Sequence, residues 1–246
     1  MRLYYLENPE NAAAQKILAA AAYVDVPLNT DTTTVHQYIN TDEDYREYYD
    51  PAGEYPVLEL EENDLNAGSP RASAGSNALS MGRINGSNNV IFGANAILRL
   101  IGRCDEADEH HVYGYTPFEA SQVDMWINFS QDEIDAANAP YIQAQFVQKD
   151  IGGQKVPASA VGAVERVLAA LEDVLTIRTF LVGERLSLAD IAVAFSIQLV
   201  YRCNKKHSEE LAKKYKAVYR HYNTVMRHPR IKEVMRKAGA TLGPLR

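Results

Sequence analysis

Ser187 and Asp190 are the residues whose types and spacing first suggest chemistry. They stand three positions apart in the mostly apolar stretch RTFLVGERLSLADIAVA, residues 178–194. A serine nucleophile needs a neighbouring general base and an exposed, strained turn of the Gly-x-Ser-x-Gly kind. Gly183 instead lies four residues before the serine, and no histidine occurs within 15 residues of it. The stretch therefore does not predict a catalytic serine.

The same pair fits the start of a helix. The Ser187 hydroxyl would accept from the N–H of Asp190, and the Asp190 carboxylate would accept from the N–H of Ser187, which is a capping box. Leu186 and Ile191 occupy the flanking hydrophobic-staple positions. The positive end of the helix dipole also favours the charge of Asp190. We therefore predict a structural capping box, whose loss costs about 1 to 2 kcal/mol.

Composition limits the class of protein. The chain has 246 residues, 46% of them hydrophobic and 23% charged, which is typical of a folded protein with one or two units. No stretch approaches the roughly 20 apolar residues needed to span a bilayer, and the N-terminus lacks a secretory pattern. Cys104 and Cys203 are too few for a disulfide scaffold or a zinc cluster. We expect a cytoplasmic protein with no membrane contact and no metal.

Charge is distributed unevenly along the chain. Residues 202–246 hold 13 of the 25 Lys and Arg but only three acids, a local balance of +10. Since the whole chain carries −7, the remainder carries −17. Such polarity steers acidic partners or RNA toward the basic end, although solvated helix faces give the same pattern.

The first hundred residues alternate between strand and helix patterns. RLYYL predicts a strand, NPEN a turn with a capping asparagine, and NAAAQKILAAAAYV a helix, before a second strand near VPLNT. Tyr55-Pro56, a plausible cis peptide, stands at the entrance to a third strand. VIFGANAILRLIGR then predicts a strand that runs into a helix. Residues 66–89, rich in small and polar residues, predict a flexible insertion.

From Thr116 onward the pattern is helical. TPFE supplies a capping box, with Pro117 at the first helical position and Glu119 reaching back. Two apolar faces follow at helical spacing: Val161, Val164, Leu168, Leu171 and Leu175, and then Tyr215, Tyr219, Tyr222 and Met226. The adjacent His110 and His111, in the segment before this region, are poorly spaced for one metal ion and predict exposed side chains.

These elements together resemble the glutathione-transferase fold. NPENAAAQKILAAA, FGANAILRLI, RTFLVGERLSLADI and YNTVMRHPRIKEVM are similar, in this order, to the gamma subunits of translation elongation factor 1. The resemblance implies an α/β plus all-α fold. It places a thioredoxin-like domain at residues 1–103, with the insertion at 66–89, and an all-helical domain at residues 116–246.

The resemblance also implies a function. In that family the transferase-like region is an assembly scaffold that anchors the nucleotide-exchange subunit, and it requires no cofactor. Family members continue into a lysine-rich linker and a further domain, so we expect this chain, which stops at Arg246, to be a fragment. A homodimer and an RNA contact through residues 202–246 are further expectations.

Two alternatives stay open. The first is a thiol S-transferase that uses glutathione or a related thiol such as trypanothione. The superfamily positions then implied are Tyr5 as a weak catalytic candidate and, as ligand-binding residues, Tyr55, Pro56, Ala94 and Asn95. The superfamily's acid and serine fall on Gly93 and Ala94, which offer no side-chain acceptor or donor. The second alternative is a transferase-like appendage of an aminoacyl-tRNA synthetase.

Overall fold

The structure is a computed structural model that describes residues 1–7, 11–32, 50, 53–60, 89–104, 110–142, 157–203 and 205–237. The chain divides into two compact units, Met1–His110 and His111–Arg246. The division falls between the two domains expected from the sequence. Residues 66–88 of the insertion predicted at 66–89 lie outside the described residues.

The first unit contains a four-stranded sheet and two described helices. Its elements are β1 (Arg2–Tyr4), α1 (Ala12–Tyr23), β2 (Asn29–Asp31), β3 (Val57–Glu59), β4 (Val90–Phe92) and α2 (Ala94–Arg103). The strand order is β2-β1-β3-β4, with β1 parallel to β2 and antiparallel to β3. β3 and β4 are also antiparallel. A small mixed sheet of this kind, with α1 joining the two parallel strands, matches the β/α module predicted from the sequence.

α1 begins where the sequence predicts a capping asparagine. Oδ1 of Asn11 accepts from the N–H of Ala14 at 3.0 Å, and its Nδ2 donates to the carbonyl of Leu6 at 2.9 Å. The helix packs on α2 through fully buried apolar side chains. Because Ile17 and Ile97 are wholly removed from water, this contact stabilises the unit through the hydrophobic effect.

The second unit is helical throughout its described residues. Its elements are α3 (Pro117–Phe129), a π-helix (Ser130–Asp135), α4 (Ala158–Thr176), α5 (Leu188–Cys203), α6 (Lys205–Lys214), α7 (Lys216–Met226) and α8 (Pro229–Lys237). The chain is also helical from 136 to 142. No helix in the described part of the chain is both long and apolar enough to cross a membrane.

α5 is the centre of this unit. Every residue from Leu188 to Gln198 is buried, so the helix is apolar on nearly all sides and surrounded by its neighbours. α4 buries the face predicted from its 3 and 4 spacing, with one exception. Val161 is only half-buried, and Val167 takes its place in the core because α4 is rotated slightly from the predicted face.

Candidate functional site

The residues that the transferase resemblance singles out lie at one end of the sheet. The register places Tyr4 opposite Val57, and Val57 opposite Phe92. Tyr5, Pro56 and Gly93 each adjoin that row at the same end. Tyr55-Pro56 is a cis peptide. The sheet therefore brings the thiol-site positions together, although they are far apart in sequence.

Tyr5, the catalytic candidate, directly follows β1 and is half-buried. Its N–H donates to the carbonyl of Asp31 at 3.3 Å, which ties it to the end of β2. Burial, reinforced by the nearby carboxylate of Glu7, raises the pKa of the Tyr5 phenol. A phenol held protonated remains a hydrogen-bond donor. Tyr4, by contrast, is buried and donates to Oε2 of Glu59 at 2.7 Å.

The start of α2 departs from what a thiol peptide needs. Gly93 is the N-cap, at φ +84°, and no side chain caps the helix. Ala94 offers no polar group, and the Asn95 side chain is buried, with its Oδ1 accepting from Nζ of Lys16 at 2.6 Å. The amide of Asn95 therefore links α2 to α1. The burial of Lys16 and its contact with Asn95 were not predicted, because nothing in the helix-forming stretch around Lys16 indicates that this side chain is buried.

Ser187 and Asp190 begin α5 inside the second unit. The N–H of Ser187 donates to Oδ2 of Asp190 at 2.8 Å, which is the carboxylate half of the predicted capping box. The Ser187 hydroxyl was predicted to accept from the amide of Asp190. The hydroxyl instead donates to the same Oδ2 at 2.7 Å. A hydrogen bond from a hydroxyl to a carboxylate is stronger than the predicted one from a backbone N–H to a hydroxyl. The two side chains therefore form a closed local ring of hydrogen bonds.

Asp190 has two further partners that the sequence did not reveal. Its Oδ1 accepts from the N–H of Leu181 at 2.8 Å and lies 2.8 Å from Nε2 of His221. His221 lies on α7, 31 residues away, and both side chains are 0% exposed. The carboxylate oxygens of Asp190 accept in their other hydrogen bonds, so we take Nε2 of His221 as the donor here. The only available signal was that His221 adjoins Tyr222 in the predicted apolar face of α7, which indicates neither its burial nor its partner.

Serine, aspartate and histidine thus meet, but not in a catalytic order. In a hydrolase the histidine contacts the serine and the aspartate orients the histidine. Here Asp190 lies between the other two, and His221 contacts Asp190 rather than the Ser187 hydroxyl. Ser187 is also only 2% exposed, which denies a substrate access to it. The cluster is a buried structural centre that joins α5, α7 and the loop before α5.

α4 and α7 cap each other's ends. Both carboxylate oxygens of Glu172, on α4, accept from the N–H of Ala217, and Oε2 also accepts from the N–H of Val218. In return, Nη2 of Arg220, on α7, donates to the carbonyls of Leu175 and Arg178 at the end of α4. An anion at a helix start and a cation at a helix end both complement the helix dipole. Neither role was predicted, because each pair is at least 42 residues apart.

Hydrogen bonds and an ion pair of Glu119 connect the segment before α3 to the loop before α5. The N–H of Glu119 donates to Oγ1 of Thr116 at 3.1 Å, as the predicted box requires, but the Glu119 carboxylate reaches the N–H of Tyr115. The same carboxylate binds Nη2 of Arg185 at 2.8 Å. These contacts lower the pKa of Glu119, and the hydrogen bond from the Tyr115 N–H has a larger effect than the one from Arg185.

The adjacent histidines are half-buried rather than exposed, which corrects the prediction. His110 packs edge-on against Tyr23, with ring centroids 4.9 Å apart. The His111 ring lies 3.8 Å from that of Tyr115, on which the Arg185 guanidinium also stacks. Aromatic neighbours that the sequence pattern does not reveal account for this burial. In the described part of the chain, no three His, Cys, Asp or Glu side chains are grouped to hold a metal ion.

Tyrosines pack between α5 and α7. The rings of Tyr201 and Tyr222 are stacked with centroids 5.2 Å apart, and Tyr219 lies 5.5 Å from Tyr201. Burial raises the pKa of Tyr201, with Glu172 reinforcing the effect. It also raises the pKa of Tyr222 to about 12, although Arg202 opposes the shift. The predicted aromatic face of α7 is thus a packing surface rather than a cofactor site.

Comparison with known proteins agrees with this architecture. Residues 133–229 match the family described as "Glutathione S-transferase, C-terminal domain". Glutathione transferase F2 from Populus trichocarpa is similar in structure, with a TM-score of 0.73 at 16% identity, covering 98% of this chain and 99% of that one. A likeness at that identity establishes the fold. The chain therefore has the glutathione-transferase fold.

Two curated relatives align along most of the sequence. "Elongation factor 1-gamma" of Trypanosoma cruzi is 42% identical over 236 residues, covering 96% of this chain and 49% of the relative. "Probable elongation factor 1-gamma 2" of Arabidopsis thaliana is 26% identical, covering 94% of this chain and 48% of the relative. The chain spans about half the length of these relatives. Along nearly its whole length, the chain is similar to elongation factor 1-gamma proteins.

Proposed function

We propose that this chain is a cytoplasmic assembly scaffold of a translation elongation factor 1 complex, in which it anchors the nucleotide-exchange subunit. The observation that carries the proposal is the 42% identity to a Trypanosoma cruzi elongation factor 1-gamma over 96% of the chain. That similarity runs through both units rather than through the helical unit alone. The chain therefore has the elongation-factor pattern throughout, and not merely the fold.

The polar groups of the described residues support a scaffold over an enzyme. Ser187 and His221 are buried and are each hydrogen-bonded to Asp190, which lies between them. At the transferase positions, Gly93 and Ala94 carry no polar side chain. An enzyme binds its substrate through a few well-placed polar groups, and these positions supply none.

An exposed apolar strip on α3 supplies a surface for the exchange subunit. Phe118 and Met125 are 72% and 53% exposed and lie seven residues apart, on the same side of the helix as Ser121 and Asn128. Tyr115, 60% exposed, precedes the helix. Large apolar side chains bordered by polar residues are typical of protein interaction sites. We assign this α3 strip to the exchange subunit.

Binding to the recombinant exchange subunit of the same organism tests the proposal. Wild-type chain is expected to bind it, and Phe118→Ser with Met125→Ser to lose at least about tenfold in affinity, since apolar anchors dominate interfaces. Ile177→Ser is the matched control, because Ile177 is 80% exposed at the end of α4. No binding by the wild-type chain would refute the scaffold role.

Two other outcomes concern only the assignment of the α3 strip. If the double variant binds as well as wild type, the exchange subunit docks elsewhere. Light scattering tests the expected homodimer. A wild-type dimer that becomes monomeric in the double variant would show that a second copy covers the strip.

The thiol S-transferase alternative is supported by the common end of the sheet at which Tyr5, Tyr55-Pro56 and Gly93 lie. There the protonated Tyr5 phenol would donate to a thiolate, and the backbone of Tyr55 would pair with the peptide of glutathione or trypanothione. Pro56 would hold that backbone in place. The start of α2 at Ala94 would lie against the γ-glutamyl end, with Asn95 supporting the helix from inside.

Conjugation of an aryl chloride to each thiol tests this alternative. It predicts saturable turnover that falls at least about tenfold in Tyr5→Phe, the loss expected for one hydrogen bond to a developing charge. Tyr23→Phe, which alters a tyrosine elsewhere in the same unit, is the control. No turnover with either thiol would exclude the alternative. The synthetase-appendage alternative stays a prediction, which the native transcript would test.

A further inference from the structure

The helices α6 to α8 contain a long segment with positive charge only. The 22 residues from Leu211 to Lys232 include seven Lys and Arg and no Asp or Glu. The rest of the chain has the opposite sign, since residues outside 202–246 carry −17. A molecule polarised in this way attracts a polyanion toward its basic side and repels it from the other.

On α7 the cations lie along one side of the helix. Lys216, Arg220 and Arg227 are exposed and spaced by four and seven residues, so they form a row about 16 Å long on α7. Polar Asn223 and Thr224 lie between them. The opposite side of α7 is buried in the core, so the packing of the helix keeps this row on the surface.

Several cations on these helices have no anionic partner. Lys213, Lys216, Arg227 and Lys232 are exposed and form no ion pair with the described residues. Others on the same helices are engaged, as Lys214 is with Glu165 at 3.0 Å and as Arg236 is with Glu233 at 2.8 Å. The free cations remain available to an external anion. We call these four residues the basic strip.

The surface chemistry favours a nucleic acid over a protein. None of the exposed large apolar residues in the described part of the chain lies on α6, α7 or α8. Protein interfaces have an apolar and aromatic centre, whereas nucleic-acid interfaces are polar and strongly positive. Without an exposed aromatic ring on these helices, bases have no stacking platform, and only the phosphates are contacted.

We propose that the basic strip binds the phosphate backbone of RNA without sequence preference. The inference rests on exposed, unpaired cations on adjoining helices and does not depend on the scaffold role. Each phosphate neutralised releases counterions, so the affinity must fall steeply with salt. Within a translation complex, such a strip would bind the RNA that the complex serves.

Fluorescence anisotropy of the full 246-residue chain with a labelled 20-nucleotide uridine RNA, measured across a range of KCl concentrations, tests the proposal. The variant Lys216→Gln, Lys232→Gln, Arg227→Gln removes three cations while keeping helix propensity. It is expected to bind at least about tenfold more weakly, and its salt slope to fall by about 2, near 0.7 per lost contact.

The matched control removes three exposed cations outside these helices, Arg2→Gln, Arg103→Gln and Arg166→Gln. It changes the net charge equally, and it is expected to keep the wild-type affinity within about twofold, since distant exposed charges are largely screened. Circular dichroism verifies that both triple variants are folded. Adenosine RNA of the same length should bind like uridine RNA.

Four results would overturn the proposal. The first is no RNA binding by the wild-type chain at low salt, and the second is an equal loss in both triple variants. The third is a clear preference between the adenosine and uridine RNAs. The fourth is tighter binding of a 20-residue polyglutamate than of the RNA, which would assign the basic strip to an acidic protein segment.

Discussion

Oδ1 of Asp190 lies 2.8 Å from Nε2 of His221, and neither side chain is exposed to solvent. Through this contact the first turn of α5 is joined to the middle of α7, across the centre of the helical unit. The carboxylate also accepts hydrogen bonds from the N–H groups of Leu181 and Ser187 and from the Ser187 hydroxyl. Removing one member of such a buried set leaves another polar group without a partner, which costs about 1 to 3 kcal/mol.

Asp190→Asn is expected to lower the free energy of unfolding by about 3 kcal/mol, because the amide nitrogen replaces one carboxylate oxygen and leaves buried donors without an acceptor. Urea unfolding followed by circular dichroism measures the change. Asp132→Asn, at an exposed position of the π-helix, is the control and should cost under about 0.5 kcal/mol. Equal losses in both variants would contradict a structural role for Asp190.

Asp190 and His221 are expected to be energetically coupled. In a double-mutant cycle with His221→Phe and Asp190→Asn, the double variant should lose at least about 1 kcal/mol less than the sum of the single losses. Thr224→Ala, on the exposed side of α7, shares no partner with Asp190 and should be additive with it. Full additivity of the first pair would show that the contact contributes no stability.

Glu172→Ala is expected to destabilise the unit by about 1 to 2 kcal/mol, because the first N–H groups of α7 lose their acceptor. Asp173→Ala is the matched control, since it removes the neighbouring, exposed carboxylate from the same helix. The difference in unfolding midpoint between the two variants measures the cap. If both shift alike, Glu172 acts only through the net charge.

Acid should weaken the link between Glu119 and its partners. The pKa of Glu119 lies below its ordinary value of 4.5, chiefly because the Tyr115 N–H and then Arg185 bind the ionised form. The stabilisation is therefore fully present above about pH 4.5 and is lost as the pH falls through the lower folded value. Thermal unfolding of wild type and Glu119→Gln should differ at pH 7 and converge in strong acid. Glu184→Gln, an exposed neighbour of Arg185, should match wild type throughout.

Local sequence signals predicted the ends of elements well. Asn11 and Thr116 are caps where the sequence places them, and β4 runs into α2 as VIFGANAILRLIGR indicates. These features depend on residues within four positions of one another. Spacing alone is therefore sufficient to infer them.

Contacts between distant segments were not predictable in the same way. His221, Glu172 and Lys16 each bind a group between 31 and 79 residues away. No histidine lies near Ser187 in the sequence, so local spacing could not indicate the histidine that the fold brings to Asp190. Periodicity identifies which side of a helix is buried, whereas the neighbour it meets depends on the packing of the whole unit.

The hydrogen bond from the Leu181 N–H to Asp190 should slow hydrogen exchange at this amide. Leu181 lies outside regular helix, in the loop before α5, yet its N–H is held by a carboxylate in the core. Loop amides ordinarily exchange through small local openings. This one can exchange only when Asp190 is released, so its protection should equal that of the slowest amides in α5. A single loop amide thereby reports the global opening of the helical unit.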